Sequence, residues 1–320
     1  MSNDALRMPA DSSFVPLFFG YAPPRRGNDP EKTLRITQRR VERLSAMSLD
    51  GLILYDLQDE SPRTDEARPF PYLPTIDPLA YSRDYLSEGA IAELPRIIYR
   101  AVTTRSPEEN DRFIRALRPG HEATVLVGAP SHDAQRRTGL GRSYELYQAA
   151  WGAANERPAL GGVTIPERHA RKLDEHRRLE RKGERGCSFF VSQCVYDAEA
   201  ARNLLSDYHY ATIDRSRPAR RIVLTLSPCG SRRTLDFMRW LGVGFPRWLE
   251  NDLERSGDIL DRSVEACRRI VRELSDFCLD HGVPFGFNVE SVSIKRTEID
   301  AAGELASDIH GLLRGRGVRG

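Results

Sequence analysis

The chain has 320 residues, 40% hydrophobic and 29% charged, an ordinary globular balance that excludes collagen-like, disordered and disulfide-scaffold classes. Its 48 basic residues against 46 acidic ones leave a net charge of only +2. No strong field therefore marks a nucleic acid or an anionic membrane as the obligatory partner.

Strands and amphipathic helices alternate from end to end. Val15–Tyr21 predicts the first strand; Asp29 then caps a helix with Pro30 in its first turn and Leu34, Val41 and Leu44 on one face. Leu52–Leu57 is the second strand, followed by a Pro- and Arg-rich loop over Ser61–Pro78, which reads as a lid or a partner surface, and a helix near Tyr81–Glu93. Pro95–Val102 is the third, and Ser106, Pro107 and Glu109 open the next helix as a capping box. Ala123–Val127 and Leu160–Ile165 are the fourth and fifth, with helices over Tyr144–Ala153 and Arg168–Arg185. Cys187–Gln193 leads into a helix over Asp197–Ser206, and Arg221–Ser227 into helices over Ser231–Trp240, Pro246–Glu254 and Asp258–Asp280. In the last of these Leu260, Val264, Cys267, Val271, Leu274 and Cys278 form one apolar stripe. Pro284–Glu290 and a helix over Thr297–Leu313 complete the pattern.

Eight strand–helix repeats without a compositional break predict a TIM (β/α)8 barrel over residues 14–320, after a flexible segment at 1–13. The rival, an open doubly wound sheet, lacks its G-x-G-x-x-G opening the first helix. Five cysteines without a C-x-x-C pair predict reduced thiols in a cytoplasmic protein without structural zinc. No secretory leader is expected from Met1–Ser13, and no apolar run reaches the ~18 residues of a membrane span.

A barrel puts its chemistry at the carboxyl ends of the strands. Polar groups gather there, among them Gln58, Gln193 and Glu290 as candidate substrate contacts. Gln193 ends an apolar run with an amide, which offers a donor and an acceptor to the edge of a heterocycle. Asp56, Asp59 and Glu60 form an acidic cluster: either one has a raised pKa and protonates substrate, or all three cap the loop and pair with Arg63 and Arg68. His169 reads either as a ligand contact or as a helix-start histidine bonded to backbone, and Arg181 and Lys182 either neutralise a phosphate or solvate a helix face. Cys194 has no adjacent base and reads as a bystander thiol. No His, Cys and carboxylate spacing predicts a metal site.

The block Ile165-Pro-Glu-Arg-His169, then Arg181-Lys182, then Phe190-Val-Ser-Gln193-Cys-Val-Tyr-Asp197 resembles the methylenetetrahydrofolate reductase family. That family carries Tyr-Pro-Glu-x-His, a Lys-Arg-Lys helix and Ile-Thr-Gln-Phe-Phe-Phe-Asp. Trp240-Leu-Gly-Val-Gly-Phe-Pro246 and Phe18-Phe-Gly-Tyr-Ala-Pro-Pro-Arg25 are similar to further segments of it. The resemblance implies a barrel that passes hydride from NAD(P)H through FAD to 5,10-methylenetetrahydrofolate, giving 5-methyltetrahydrofolate. It places Tyr55, Tyr99, Gly128, His169, Arg178, Arg181 and Lys182 on the FAD side, and Gln193 against the pterin or nicotinamide.

The chain departs from that pattern. The family's proton-donating Glu aligns with Gly20, its Arg-Gly-Asp with Val127-Gly128-Ala129, and its flavin-side Thr and His with Tyr55 and Tyr99. Under the resemblance, the adjacent acids Asp56, Asp59 or Glu60 replace the lost donor. The alternatives are a folate-binding or one-carbon partner protein without reductase chemistry, a homo-oligomer or methyltransferase partner among its associations, and a reductase that dispenses with flavin.

Overall fold

Local signals start the helices. In the computed structural model, which describes residues 14–61, 64–128 and 139–319, Asp29 accepts from the Lys32 amide at 2.7 Å to open α1 (Pro30–Ser45). Asp77 opens α2 (Pro78–Tyr85) in the same way, and Ser106 and Glu109 close a reciprocal capping box on α3 (Pro107–Ala116). Each satisfies amides that a helix start leaves without partners. The expected segment at 1–13 lies outside the described residues.

Eight strands, β1 (Leu17–Tyr21), β2 (Gly51–Leu54), β3 (Arg96–Ala101), β4 (Glu122–Val127), β5 (Leu160–Thr164), β6 (Phe189–Cys194), β7 (Arg221–Leu226) and β8 (Phe285–Glu290), pair in parallel and in sequence order. β8 returns to β1 and closes the barrel. The fold is thus the predicted TIM (β/α)8 barrel in one domain. The remaining helices among the described residues are α4 (Leu140–Trp151), α5 (Pro166–Lys172), α6 (Glu175–Glu184), α7 (Ala198–Asp214), α8 (Arg232–Trp240), α9 (Arg247–Arg255), α10 (Ile259–His281) and α11 (Arg296–Gly315). None of them is long and apolar enough to cross a membrane.

Several expected elements differ: the helix expected near Tyr81–Glu93 is Pro78–Tyr85, and the second strand ends at Leu54. The single helix over Arg168–Arg185 is two, because Leu173 adopts a left-handed conformation (φ 50°) and the chain turns at Asp174 before restarting. The helix expected to end at Ser206 runs to Asp214, since Leu204, Leu205, Tyr208 and Thr212 continue one buried stripe beyond its polar interruption.

Strand alternation divides the apolar residues between two cores. Phe18, Ile53, Ile97, Val125, Phe189, Val191 and Val223 point inward and fill the barrel, while residues of the opposite parity pack with the helices in a larger outer core. Gly161 is required inside: a Cβ there would stand 2.5 Å from the Phe189 ring. Below this layer Arg221, fully buried, donates to the carbonyls of Phe14 and Phe285 and closes the amino-terminal end. The other end stays polar. Cys187, Cys194, Cys229, Cys267 and Cys278 are all buried and free.

Candidate functional site

Register decides which side chains meet at the open end. Gly20 pairs with Glu290, Phe18 with Asn288 and Thr225 with Asn288, so these positions share the inward face. Tyr55, one residue past β2, leans in from the next strand, and its ring meets Tyr99 of β3 edge to face at 4.8 Å.

These residues form one hydrogen-bonded group. The fully buried Asn288 amide donates to Tyr55 Oη at 2.9 Å and to Thr225 Oγ1 at 3.3 Å, while its own Oδ1 is buried without a partner. Glu290 stands beside this group, and the Tyr55 and Asn288 side chains favour its ionised form. Burial pushes its carboxyl up to about 7, against the lowering effect of those two side chains. Burial, and then Glu290 itself, also hold the Tyr55 and Tyr99 phenols well above their usual range. Near neutrality the mouth therefore holds one carboxyl poised between donor and acceptor.

Glycine at position 20 makes room for this group. A Cβ there would stand 2.8 Å from Tyr55 Oη and 2.9 Å from Asn288 Oδ1. Gly20 thus faces Glu290 on β8, the neighbouring strand on the other side from the expected cluster.

That cluster separates. Since Tyr55 takes the inward position, Asp56 faces away and accepts from the Ala101 amide at 2.9 Å and from Arg105 at 3.3 Å. Burial raises its pKa, while those partners hold it down. Asp59 is exposed, accepts from Ser61 and lies 3.7 Å from Arg68; the Ser61 bonds lower its pKa. Asp59 thus follows the loop-pairing alternative with Arg68, whereas Arg63 lies outside the described residues. Glu60 is half-buried in the same loop, away from the strand register of Glu290.

The remaining candidates divide between rim and flank. Gln58 donates to the Gly128 carbonyl at 3.3 Å and accepts from Thr103 at 3.4 Å, joining the loops after β2, β3 and β4. Gln193, the penultimate residue of β6, donates to the Leu241 carbonyl at 2.8 Å. His169 is fully buried on the helical flank, where Nε2 lies 3.1 Å from Asp207 of α7. Lys182 lies beside Gly162 on the outer face of β5 and donates to the Val163 carbonyl. Arg178 lies 3.6 Å from Asp174 and 3.7 Å from Glu175, and Arg181 is exposed on α6. An FAD diphosphate needs cations converging at the mouth. His169, Arg178 and Lys182 do not fit that role as they stand.

A strap borders the mouth. Residues 64–76, in the loop after β2, are hydrogen-bonded to the β1 exit through Arg26 N to Pro74 O at 3.0 Å and Ile76 N to Pro24 O at 2.9 Å. They then reach α8, where the Arg68 guanidinium lies 5.0 Å from the Trp240 ring and 5.4 Å from Phe237. Trp240 Nε1 donates to the Glu66 carbonyl at 3.1 Å. This loop, readable from sequence as lid or partner surface, is docked on its own barrel.

Asn288 and Thr225 had no role assigned from sequence. Their signal was parity: each is a polar residue on the inward face of a mostly apolar strand.

A solved structure described as an uncharacterized protein from Clostridium thermocellum that binds two copies of 5-methyl-5,6,7,8-tetrahydrofolic acid is similar to this chain. It is 39% identical, over 96% of this chain and 97% of that one, with a TM-score of 0.81. Apo-MsnO8 is 12% identical over 93% of this chain and 99% of that one, with a TM-score of 0.50, a likeness of fold alone. No protein-family model matches the chain, and no curated protein does.

Proposed function

The chain belongs to one family with the Clostridium thermocellum protein, and from that premise we propose that its barrel mouth binds a reduced folate. The end-to-end likeness to a binder of 5-methyltetrahydrofolic acid carries this reading. The chemistry of the mouth supports it. A pterin presents an amino group, a ring N–H and a carbonyl along one edge. Ionised Glu290 accepts from the two donors, while the unpartnered Asn288 Oδ1 and the Gln193 amide supply further polar contacts. Tyr55 and Tyr99 give the flat ring an aromatic wall.

Titration of the full chain with 5-methyltetrahydrofolate, followed by calorimetry, tests this. Saturable binding that weakens about tenfold per pH unit below about 7 is expected, as Glu290 takes up its proton. Binding that is absent, or unchanged in Glu290→Gln, overturns it.

One observation favours a second reading, a reductase of the methylenetetrahydrofolate type. Glu290 stands beside Gly20, the position aligned with that family's proton donor, with a carboxyl that is half protonated near pH 7. In that reading Glu290 delivers the proton to the bridging nitrogen of 5,10-methylenetetrahydrofolate, and NAD(P)H is the ultimate hydride source. Oxidation of NAD(P)H dependent on methylenetetrahydrofolate, with or without flavin bands in the protein's spectrum, would favour it over binding alone. The absence of turnover with either nicotinamide, with and without added FAD, would leave the binding reading.

A further inference from the structure

Away from the mouth, α5, α6 and α7 bring together two histidines and a carboxylate. His169 stands in the middle of α5, His176 on the first turn of α6 and Asp207 in the middle of α7. One ring nitrogen of each histidine and one oxygen of Asp207 lie within 4.8 Å of one another. His169 Nε2 and the Asp207 carboxylate are already 3.1 Å apart, and the two imidazoles meet edge to face with centroids 5.4 Å apart.

A second, independent observation concerns what these rings lack. The Nδ1 atoms of both His169 and His176 are buried without a hydrogen-bond partner. A buried ring nitrogen left unsatisfied is costly; because His169 meets Asp207 through Nε2, an ion held there would satisfy the His176 nitrogen and leave the His169 Nδ1 as it is.

We propose that His169, His176 and Asp207 bind a divalent transition-metal ion of the zinc class. Bonds of about 2.0–2.2 Å to imidazole and carboxylate in tetrahedral geometry put ligand atoms about 3.3 Å apart. The His169–Asp207 pair meets that spacing, and a small swing of the partly exposed His176 completes it. Three protein ligands leave a fourth position for water. Asp207 is half-exposed, so the ion has a path from solvent and meets a carboxylate that offsets part of its charge. The sequence hid this set because its third member stands on another helix, remote in the chain.

The ion would act as a clamp. It would join α7 to the two helices created by the break at Leu173, and α5 begins at the β5 exit, where Glu167 accepts from the Gly244 amide at 3.1 Å. Tightening this corner steadies one side of the rim without placing the metal in the mouth.

The test uses the full chain, stripped with chelator and titrated with Zn2+ alone in phosphate-free buffer, then with Co2+ for its visible ligand-field bands. The wild type should retain one zinc per chain after desalting, give cobalt bands of a site containing nitrogen ligands, and melt about 5 °C higher at a hundredfold excess of zinc over the dissociation constant. His176→Ala and Asp207→Asn should each weaken zinc at least about tenfold and lose the melting shift. His281→Ala, at an exposed histidine of α10, should retain all three properties. Wild type that holds no more zinc than His176→Ala, or His281→Ala that loses zinc equally, overturns the proposal.

Discussion

The β8–β1 side of the mouth and the α5–α6–α7 flank both carry groups that bind ligands in other proteins, but they assemble them differently. At the mouth, Gly20, Tyr55, Thr225, Asn288 and Glu290 come from four different strands or their exits and meet through barrel register. On the flank, His169, Arg178, Arg181 and Lys182 are close in sequence, yet their side chains go to α7, to acids near the start of α6, to the surface and to the outside of β5. Closeness along the chain gathered a recognisable motif, whereas closeness across the sheet built the polar site. The same contrast separates two kinds of acid: Glu290 has a raised pKa among inward neighbours, while Asp59 has a lowered one in an exposed loop turn.

The sharpest test of that contrast is stability against pH. An acid whose folded-state pKa lies above its unfolded value holds its proton longer in the native protein. Stability attributable to Glu290 is therefore full below its ordinary value of 4.5 and is lost as pH rises through about 7. At pH 8 the Glu290→Gln chain should exceed wild type by up to about 3 kcal/mol in denaturant melts, an upper bound because the side chain is partly solvated. The two should converge near pH 4. A difference independent of pH would mean that Glu290 does not titrate in this window and that the mouth is no different from the surface loops.

Ligand binding comes next in size. Under the folate reading, Glu290→Gln should cost about 2 kcal/mol, roughly 30-fold in 5-methyltetrahydrofolate affinity, the worth of charge-assisted hydrogen bonds. Lys182→Met on the flank should change it less than threefold, because its ammonium already serves the Val163 carbonyl on the outer face of β5. Titration calorimetry of both variants decides the matter: a larger loss from Lys182→Met would return the ligand to the flank.

The fold was legible because its determinants are local. Asp29 before Pro30 and the Ser106/Glu109 box can be read within a few residues, and period-two apolar runs mark each strand. The break at Leu173 was not legible, since no glycine or proline marks it and an ordinary leucine takes the left-handed conformation there. The site was legible only in pieces. Glu290 was recognised as a strand-end contact, but its raised pKa depends on burial beside Tyr55 and Asn288, which only closure of β8 onto β1 creates. The direction Asp56 faces was not legible for the same reason: one residue of parity sends Tyr55 inward and Asp56 to Arg105.

Gly20→Ala probes the close approach itself. The added methyl would meet Tyr55 Oη and Asn288 Oδ1 at less than 3 Å, and relieving that contact should cost about 1–3 kcal/mol of stability. Pushing the phenol aside removes a group that favours ionised Glu290, so the midpoint of the pH-dependent stability should rise as well. Melting curves of Gly20→Ala across pH check both, and an unshifted midpoint would uncouple Tyr55 from the acid.

Asp59→Asn should have the smallest effect, and that is its use. Its carboxylate is exposed and bonded within its own turn to Ser61, and an asparagine oxygen can accept the same two bonds. The Arg68 guanidinium, 3.7 Å away, also rests over the Trp240 and Phe237 rings, so losing one exposed charge leaves the strap docked. Folate affinity, its pH dependence and any NAD(P)H turnover should stay within about twofold of wild type, the spread of a surface change. A loss comparable to that of Glu290→Gln would move the working acid from β8 to the β2 loop, and the mouth would then have to open under the strap to reach it.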